Sequence, residues 1–130
     1  MKVNGLNHVN IVAADLDKTI GFYESVLGMK AREIPMAPAG FGGRWIFDEA
    51  DQPIIHVQAY NPERHGARKE GPTGSIDHVA LTCSDFEGML RRCQELELEH
   101  RVNDRQFGDL RQVFVTDPDN VVLELNFPGD

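Results

Sequence analysis

Two segments of this chain repeat one another, and this repeat constrains the fold more than any other feature of the sequence. Residues 6–16, LNHVNIVAADL, return 70 positions later as residues 76–86, IDHVALTCSDF. The alignment places His8 on His78 and Asp15 on Asp85. Equivalent histidines in two similar halves predict a site to which both halves contribute, which is how a small protein can assemble a metal centre.

Length, charge and cysteine content narrow the class of protein. A chain of 130 residues has the length of one domain and can bury a core without disulfides or a structural metal. The formal net charge of −8 argues against binding to nucleic acid or to an anionic membrane surface. No apolar run approaches the roughly 20 residues of a membrane span, and the N-terminus lacks a signal-peptide pattern. Cys83 and Cys93 are expected to be reduced and partly buried, and these features together predict a cytoplasmic protein.

The first half, residues 1–60, predicts one helix among several strands. Alternating residues predict a strand over 5–13, and Asp15 is expected to cap a helix that ends at Gly28. Three further strands are predicted, with a flexible loop after the first of them: 29–35, loop 35–43, 44–47 and 54–60.

The second half, residues 76–130, repeats this order after a polar linker at 61–75. The capping-box pair Ser84 and Glu87 predicts the start of a helix. The apolar stripe of that helix is predicted at Phe86, Leu90, Cys93 and Leu96. The predicted strands are 76–83, 100–102 and a closing hairpin, 111–116 and 121–127, whose turn is 117–120. Together the patterns predict a single α+β domain in which two β-α-β-β-β modules form a cupped, mostly antiparallel sheet.

The last strands of the two halves also align, at an offset of 68, and this alignment places His56 on Glu124. Strand alternation puts apolar residues on one face of each predicted strand and polar residues on the other. Both residues fall on the polar face, as do His8 and His78. We therefore expect helices packed against one side of the sheet and metal-ligating side chains on the other.

Imidazole and carboxylate groups together suit Fe, Mn, Ni, Co or Zn, and three or four protein ligands leave positions open for water or substrate. A lone histidine on a strand is more often a hydrogen-bonded, half-buried polar residue, but the internal symmetry favours a metal. The sequence thus predicts one divalent ion bound by His8, His56, His78 and Glu124. His65 and His100 lie outside this symmetry and are expected on the surface.

Three stretches of the chain resemble the vicinal oxygen chelate superfamily. They are LNHVNI with ADLDKTIGFYESVLGM, IDHVALTCSDF, and FVTDPDNVVLELNF, and together they span nearly the whole sequence. The superfamily includes glyoxalase I, fosfomycin-resistance transferases, methylmalonyl-CoA epimerase, extradiol dioxygenases and bleomycin-resistance proteins. The resemblance implies a metal-dependent lyase, isomerase or dioxygenase, whose small-molecule substrate chelates the metal through neighbouring oxygens. The alternative is a metal-free ligand-binding protein of the bleomycin-resistance type.

By position, the resemblance implies that His8, His78 and Glu124 are metal ligands. His56 takes a place that relatives fill with Glu or Gln, so it is either a fourth ligand or a catalytic base beside the catalytic Glu124. Because glyoxalase I uses a carboxylate there, we expect weak or no turnover of hemithioacetals. Because Phe114 takes the place of the tyrosine of extradiol dioxygenases, we expect no turnover of catechols.

Other residues leave alternatives open. Arg44 and Arg111 are expected to form surface ion pairs rather than to bind an anionic substrate. The basic residues within 64–69 are expected to belong to a solvated linker rather than to a ligand site, and the loop at 35–43 is either a lid or a surface loop. Four aromatic residues either line a pocket or belong to the core: Trp45, Phe47, Phe107 and Phe114. Exposed sheet edges predict a homodimer, and whether the metal ligands come from one chain or from two stays open.

Overall fold

A computed structural model describes residues 1–38, 42–68 and 70–130, without the side chains of Gln106 and Phe107. The chain divides into two compact units, residues 1–69 and 70–130. The elements of the first unit are β1 Val9–Ala13, α1 Leu16–Ser25, β2 Lys30–Arg32, β3 Gly43–Phe47, β4 Pro53–Ala59 and α2 Pro62–His65. Those of the second unit are β5 Val79–Thr82, α3 Phe86–Glu95, β6 Arg101–Phe107, β7 Leu110–Thr116 and β8 Val122–Phe127.

Each unit contains a four-stranded mixed sheet of the same topology. In the first unit the strand order is β1-β4-β3-β2, with β1 parallel to β4 and the other pairs antiparallel. In the second unit the order is β5-β8-β7-β6, with β5 parallel to β8. The predicted α+β fold of two β-α-β-β-β modules is therefore confirmed.

The helices α1 and α3 supply the apolar side chains that pack with one face of each sheet. Each fully buried aliphatic or aromatic side chain stabilises the fold by roughly 1.5–3 kcal/mol, so the apolar residues of each strand lie on the face that packs against the helices. For this reason the alternation of apolar residues along a strand identifies the buried face correctly. The buried residues include Ile11, Phe22, Tyr23, Val26, Ile55 and Val57 in the first unit, and Phe86, Met89, Cys93, Val113, Leu123 and Leu125 in the second.

Helix α3 differs from its prediction at both ends. Its N-cap is Asp85, whose carboxylate accepts a hydrogen bond from Gly88 N, so the capping role predicted for Ser84 is wrong. The buried stripe includes Met89, three residues after Phe86, whereas Leu96 lies beyond the last helical turn and is 47% exposed. An apolar residue past the helix end no longer follows the helical period, and this is why the predicted stripe extended too far.

The paired segments that carry the repeat are shorter than predicted. Pairing with β4 begins at Val9 opposite Ile55, so His8 lies just before β1, and His78 likewise lies just before β5. Strand β6 is longer than the predicted 100–102 because it pairs along β7.

The predicted linker also contains an unpredicted helical turn, α2. Asn61 caps it and Pro62 occupies its first position, a combination that favours a helix start. Of the predicted loop at 35–43, residues 39–41 lie outside the described part of the chain, so the lid interpretation stays a prediction. Among the described residues, none of the helices has the length and apolar character needed to span a bilayer.

Candidate metal centre

In the second unit the structure brings His78 and Glu124 together. His78 Nε2 lies 3.1 Å from Glu124 Oε2. On its other side, His78 Nδ1 lies 2.7 Å from Asp77 Oδ1, so a neutral ring carries its proton on Nδ1 and presents the Nε2 lone pair to Glu124. A lone pair that faces a carboxylate oxygen is favourable only with a proton or a cation between them. Two ligand atoms about 2.1 Å from one ion, at right angles, lie about 3 Å apart, so this pair fits a divalent metal.

The Glu124 carboxylate is held by side-chain amides. Gln112 Nε2 and Asn126 Nδ2 each donate to Glu124 Oε1, both at 2.9 Å. Gln112 in turn accepts from Asn103 Nδ2 at 3.2 Å and donates to Asn126 Oδ1 at 2.9 Å. Because both amides bind Oε1, the second oxygen, Oε2, is the one directed to His78. Such outer hydrogen bonds fix the orientation of a metal ligand.

In the first unit His8, His56 and Trp45 form an aromatic cluster. The Trp45 ring stacks on His56, with centroids 4.6 Å apart and an angle of 20° between planes. His8 meets Trp45 edge-on at 4.8 Å, and the His8 and His56 centroids are 6.2 Å apart. His8 Nδ1 lies 2.6 Å from Asn7 Oδ1, an acceptor, so the lone pair of a neutral His8 ring lies on Nε2. The residue before the histidine thus engages Nδ1 in both units.

The tautomer of His56 depends on Asn10. The two residues are opposite one another in the β1–β4 register, and Asn10 Nδ2 lies 2.8 Å from His56 Nδ1. An amide nitrogen only donates, so in this orientation the neutral His56 ring accepts at Nδ1 and carries its proton on Nε2. A half-turn of the Asn10 amide presents Oδ1 instead, which places the proton on Nδ1 and makes Nε2 a ligand or a base.

The environment of His56 disfavours its charged form. Burial lowers the pKa of the imidazole below its ordinary value, and the charges of His8 and Arg64 lower it further. A neutral imidazole is the form that binds a metal or accepts a proton.

Trp45 and Phe114 occupy equivalent places in the two units. In the strand registers Trp45 is opposite His56 and Phe114 is opposite Glu124, so each aromatic ring lies beside a predicted ligand. Both are half-buried, and the Arg101 guanidinium lies 3.8 Å from the centre of the Phe114 ring. The pocket interpretation of Trp45 therefore agrees better with the structure than the core interpretation. The side chain of Phe107 lies outside the described part of the chain.

The four predicted ligands thus fall into two pairs, one in each unit. The described residues contain no group of three or more His, Cys, Asp or Glu side chains placed so that they could hold a metal ion. Within each pair the donor atoms are those that a borderline divalent ion prefers, and the acceptors on Nδ1 of His8 and His78 are the outer partners typical of metal-bound histidines.

The two arginines considered as anion-binding candidates, Arg44 and Arg111, form ion pairs. Arg44 pairs with Glu33 at 3.2 Å, and Arg111 pairs with Glu87 at 2.9 Å while it covers the Phe86 ring, so the ion-pair interpretation is confirmed.

The predicted state of both cysteines is confirmed as well. Cys83 and Cys93 are free and at least partly buried, and burial raises both thiol pKa values, that of Cys83 to about 11. His100 is exposed as predicted, whereas His65 is half-buried against Tyr60.

Gln112 is the site residue that the sequence reasoning missed. The signal was present, since Gln112 lies between Arg111 and the buried Val113 and so shares the polar face with Glu124. Alternation assigns the face, but the direction of a long amide side chain depends on which residues it meets across the strands.

Comparison with known proteins identifies the family. The profile of the "Glyoxalase/Bleomycin resistance protein/Dioxygenase superfamily" matches residues 5–125. The chain belongs to this superfamily. The resemblance inferred from the histidine segments and the Asp-Pro turn is therefore confirmed over nearly the whole chain.

Relatives within the glyoxalase/bleomycin resistance/dioxygenase superfamily include enzymes of different kinds. "Metallothiol transferase FosB" of Staphylococcus haemolyticus is 31% identical over 131 residues, which covers 95% of this chain and 84% of the relative. "Glyoxylase I 4" of Arabidopsis thaliana is 22% identical over 127 residues, which covers 96% of this chain and 71% of the relative. A glyoxylase/bleomycin resistance protein/dioxygenase domain from Frankia sp. EAN1pec superposes with a TM-score of 0.76 at 15% identity, covering 99% of this chain and 95% of that one. This last likeness supports the fold.

Proposed function

We propose that this protein is a divalent-metal-dependent enzyme that acts on a small substrate with two neighbouring oxygens. Its metal ligands are His8, His78 and Glu124, with His56 as a fourth ligand or as the base. The observation that carries the proposal is the 3.1 Å contact of His78 Nε2 with Glu124 Oε2, because two ligand atoms bound to one divalent ion lie about this far apart and the amide donors hold the carboxylate in place. A 31% identical relative is named "Metallothiol transferase FosB", and this name supports the same class of chemistry.

When bound, the ion would supply a Lewis acid that stabilises negative charge on a substrate oxygen. The protein's own residues would supply the rest. Gln112 and Asn126 hold the Glu124 carboxylate in one orientation, and Trp45 restricts the His56 ring by stacking on it. His56, neutral at ordinary pH, would accept a proton from the substrate or from a nucleophile such as a thiol.

We favour two reaction types: the transfer of a nucleophile to the substrate, and the movement of a proton next to a carbonyl group. Phe114 offers no hydroxyl for an extradiol dioxygenase reaction, and its ring lies against Arg101. The glyoxalase reaction is less favoured because His56 stands at the place where glyoxalase I has a carboxylate.

Metal analysis of the purified chain tests the proposal. We expect about one divalent ion per site in the wild-type protein and loss of that ion in His8→Ala and in Glu124→Ala, which remove one ligand from each pair. His100→Ala, which removes an exposed imidazole, should retain the metal. A chain that binds no divalent ion at micromolar concentrations would refute the proposal.

The alternative function is metal-free binding of a small molecule, as in bleomycin-resistance proteins. It is favoured by the fact that each unit, in the part of the chain described, brings only two metal-ligating residues together. In that case His8→Ala and Glu124→Ala would leave ligand binding unchanged, and metal would not alter it.

A further inference from the structure

A small cavity lies at the end of β4 in the first unit. Its volume is about 180 Å³, and the polar residues that line it are Gln58, Tyr60, Asn61, Arg64 and His65. Whole-ligand pockets usually measure about 300–1,000 Å³, so this cavity suits one chemical group of a ligand rather than a complete molecule. Gly42 forms part of the wall, where a Cβ atom would lie only 2.8 Å from the Ala59 Cβ.

The cavity has a positively charged lining although the protein as a whole is acidic. The chain has 21 Asp and Glu residues against 13 Lys and Arg, yet none of the described residues that line the cavity carries a carboxylate. The Arg64 guanidinium takes part in none of the salt bridges found among the described residues. An arginine without a carboxylate partner retains its full capacity to bind an oxyanion.

The neighbouring residues are held so that they present donors. Asn61 N donates to His65 Nδ1 at 2.9 Å, so a neutral His65 carries its proton on Nε2. The Tyr60 ring stacks on His65 with centroids 6.0 Å apart, and the Tyr60 hydroxyl donates to Gly66 O. The Gln58 side-chain amide, 7% exposed as a residue, adds a further donor to the lining.

The cavity adjoins the face that carries His56. Gln58 follows His56 by two positions on β4, so both side chains point to the same face and their Cα atoms are roughly 6.5 Å apart. A small molecule in contact with His56 can therefore place a second group in the cavity.

We propose that this cavity is an oxyanion subsite in which Arg64, His65 and Gln58 bind a phosphate, phosphonate or carboxylate group. The inference that the substrate of the metal enzyme is a small anionic molecule rests on the proposed function. The inference that the cavity binds an oxyanion depends on the residues of the first unit alone.

The test is an NMR titration of the full chain, kept free of metal by a chelator, with inorganic phosphate and with acetate at constant ionic strength. We expect saturable shifts at the amides of residues 58–66 and at the Gln58 side chain. Arg64→Gln should weaken the binding roughly tenfold or more, since a charge-assisted hydrogen bond is lost, and Arg64→Lys should weaken it less. Arg91→Gln, which removes an exposed positive charge from α3, is the matched control and should leave the affinity unchanged.

Shifts that do not saturate, or an equal loss of affinity in Arg64→Gln and Arg91→Gln, would overturn the subsite. Binding of phosphate alone assigns the cavity to phosphate or phosphonate groups, and binding of acetate as well extends it to carboxylates. The metal measurement is separate. A chain that binds metal but neither anion loses the subsite and keeps the proposed function, whereas a chain that binds anions but no metal keeps the subsite and loses the metal enzyme.

Discussion

At the scale of single residues, the two units prepare their ligands in different ways. Glu124 is clamped by two amide donors on one oxygen, whereas His56 is stacked on Trp45 and contacts the amide of Asn10. A clamped carboxylate has one orientation, but a histidine beside an amide has two tautomers. The broken symmetry of the repeat therefore gives one well-defined ligand and one residue whose role depends on its neighbour.

Replacement of Gln112 by Leu should weaken metal binding without removing a metal ligand. The change removes one of the two amide donors to Glu124 Oε1 and the donor to Asn126, so we expect about 10–100-fold weaker metal affinity and a loss of about 1–3 kcal/mol in the free energy of unfolding. Calorimetric metal titration and urea unfolding measure the two effects. Gln94→Leu, at an exposed position of α3, is the control, and equal effects of the two variants would contradict the role of Gln112.

His56 should make the stability of the metal-free protein dependent on pH. Its pKa in the folded chain is lowered, chiefly by burial, below the ordinary value near 6.5 that the unfolded chain retains. Below about pH 6.5 the unfolded state then binds more protons than the folded state, so acidification favours unfolding. The contribution of the neutral ring to stability is therefore present above that pH and is lost as the pH falls. The free energy of unfolding should therefore fall less between pH 7.5 and 5.5 in His56→Gln than in the wild type. His100→Gln, which removes an imidazole elsewhere, is the control. An identical fall in His56→Gln and in the wild type would contradict the prediction.

At the scale of elements, the helices show how local signals and backbone geometry combine. Asp85 caps α3 from a left-handed backbone conformation with φ of 66°, which Asp and Asn tolerate better than other non-glycine residues. A Cβ atom at Gly88 would collide with the Asp85 carboxylate and displace it from its capping position. The Phe86 N–H donates to Asp130, so the C-terminal residue also satisfies a free donor of the first turn.

Substitutions at Asp85 should separate the cap from its backbone strain. Asp85→Ala loses the acceptor for Gly88 N and places Ala in the left-handed region, so we expect a loss of about 1–2 kcal/mol in the free energy of unfolding. Asp85→Asn keeps an acceptor and a tolerated conformation and should cost less than about 0.5 kcal/mol. Ser84→Ala should also be nearly neutral in thermal or urea unfolding; a larger cost there than at Asp85 would restore the cap that the sequence suggested.

At the scale of the whole molecule, the proposed metal should link the stability of the chain to both pairs of ligands. A ligand that binds only the folded state at 100 times its Kd adds about 2.7 kcal/mol to the free energy of unfolding. We therefore expect divalent metal to raise the Tm of the wild type, and the rise to vanish in His8→Ala and in Glu124→Ala. Scanning calorimetry with and without metal measures this. A rise that persists in either variant would show that the pair it belongs to is not part of the metal site.

The sequence by itself determined the repeated β-α-β-β-β order, the buried face of each strand and the family, because the alternation of apolar residues and the turn residues follow from local geometry and burial. It also placed His8 with His56 and His78 with Glu124 on the polar faces. Only the tertiary structure decided the amide clamp on Glu124, the stacking of Trp45 on His56 and the cavity beside Arg64. These contacts join residues on different strands or across a turn. Their partners are set by the strand register and by where side chains meet once the core is packed, and no periodicity along the chain records that.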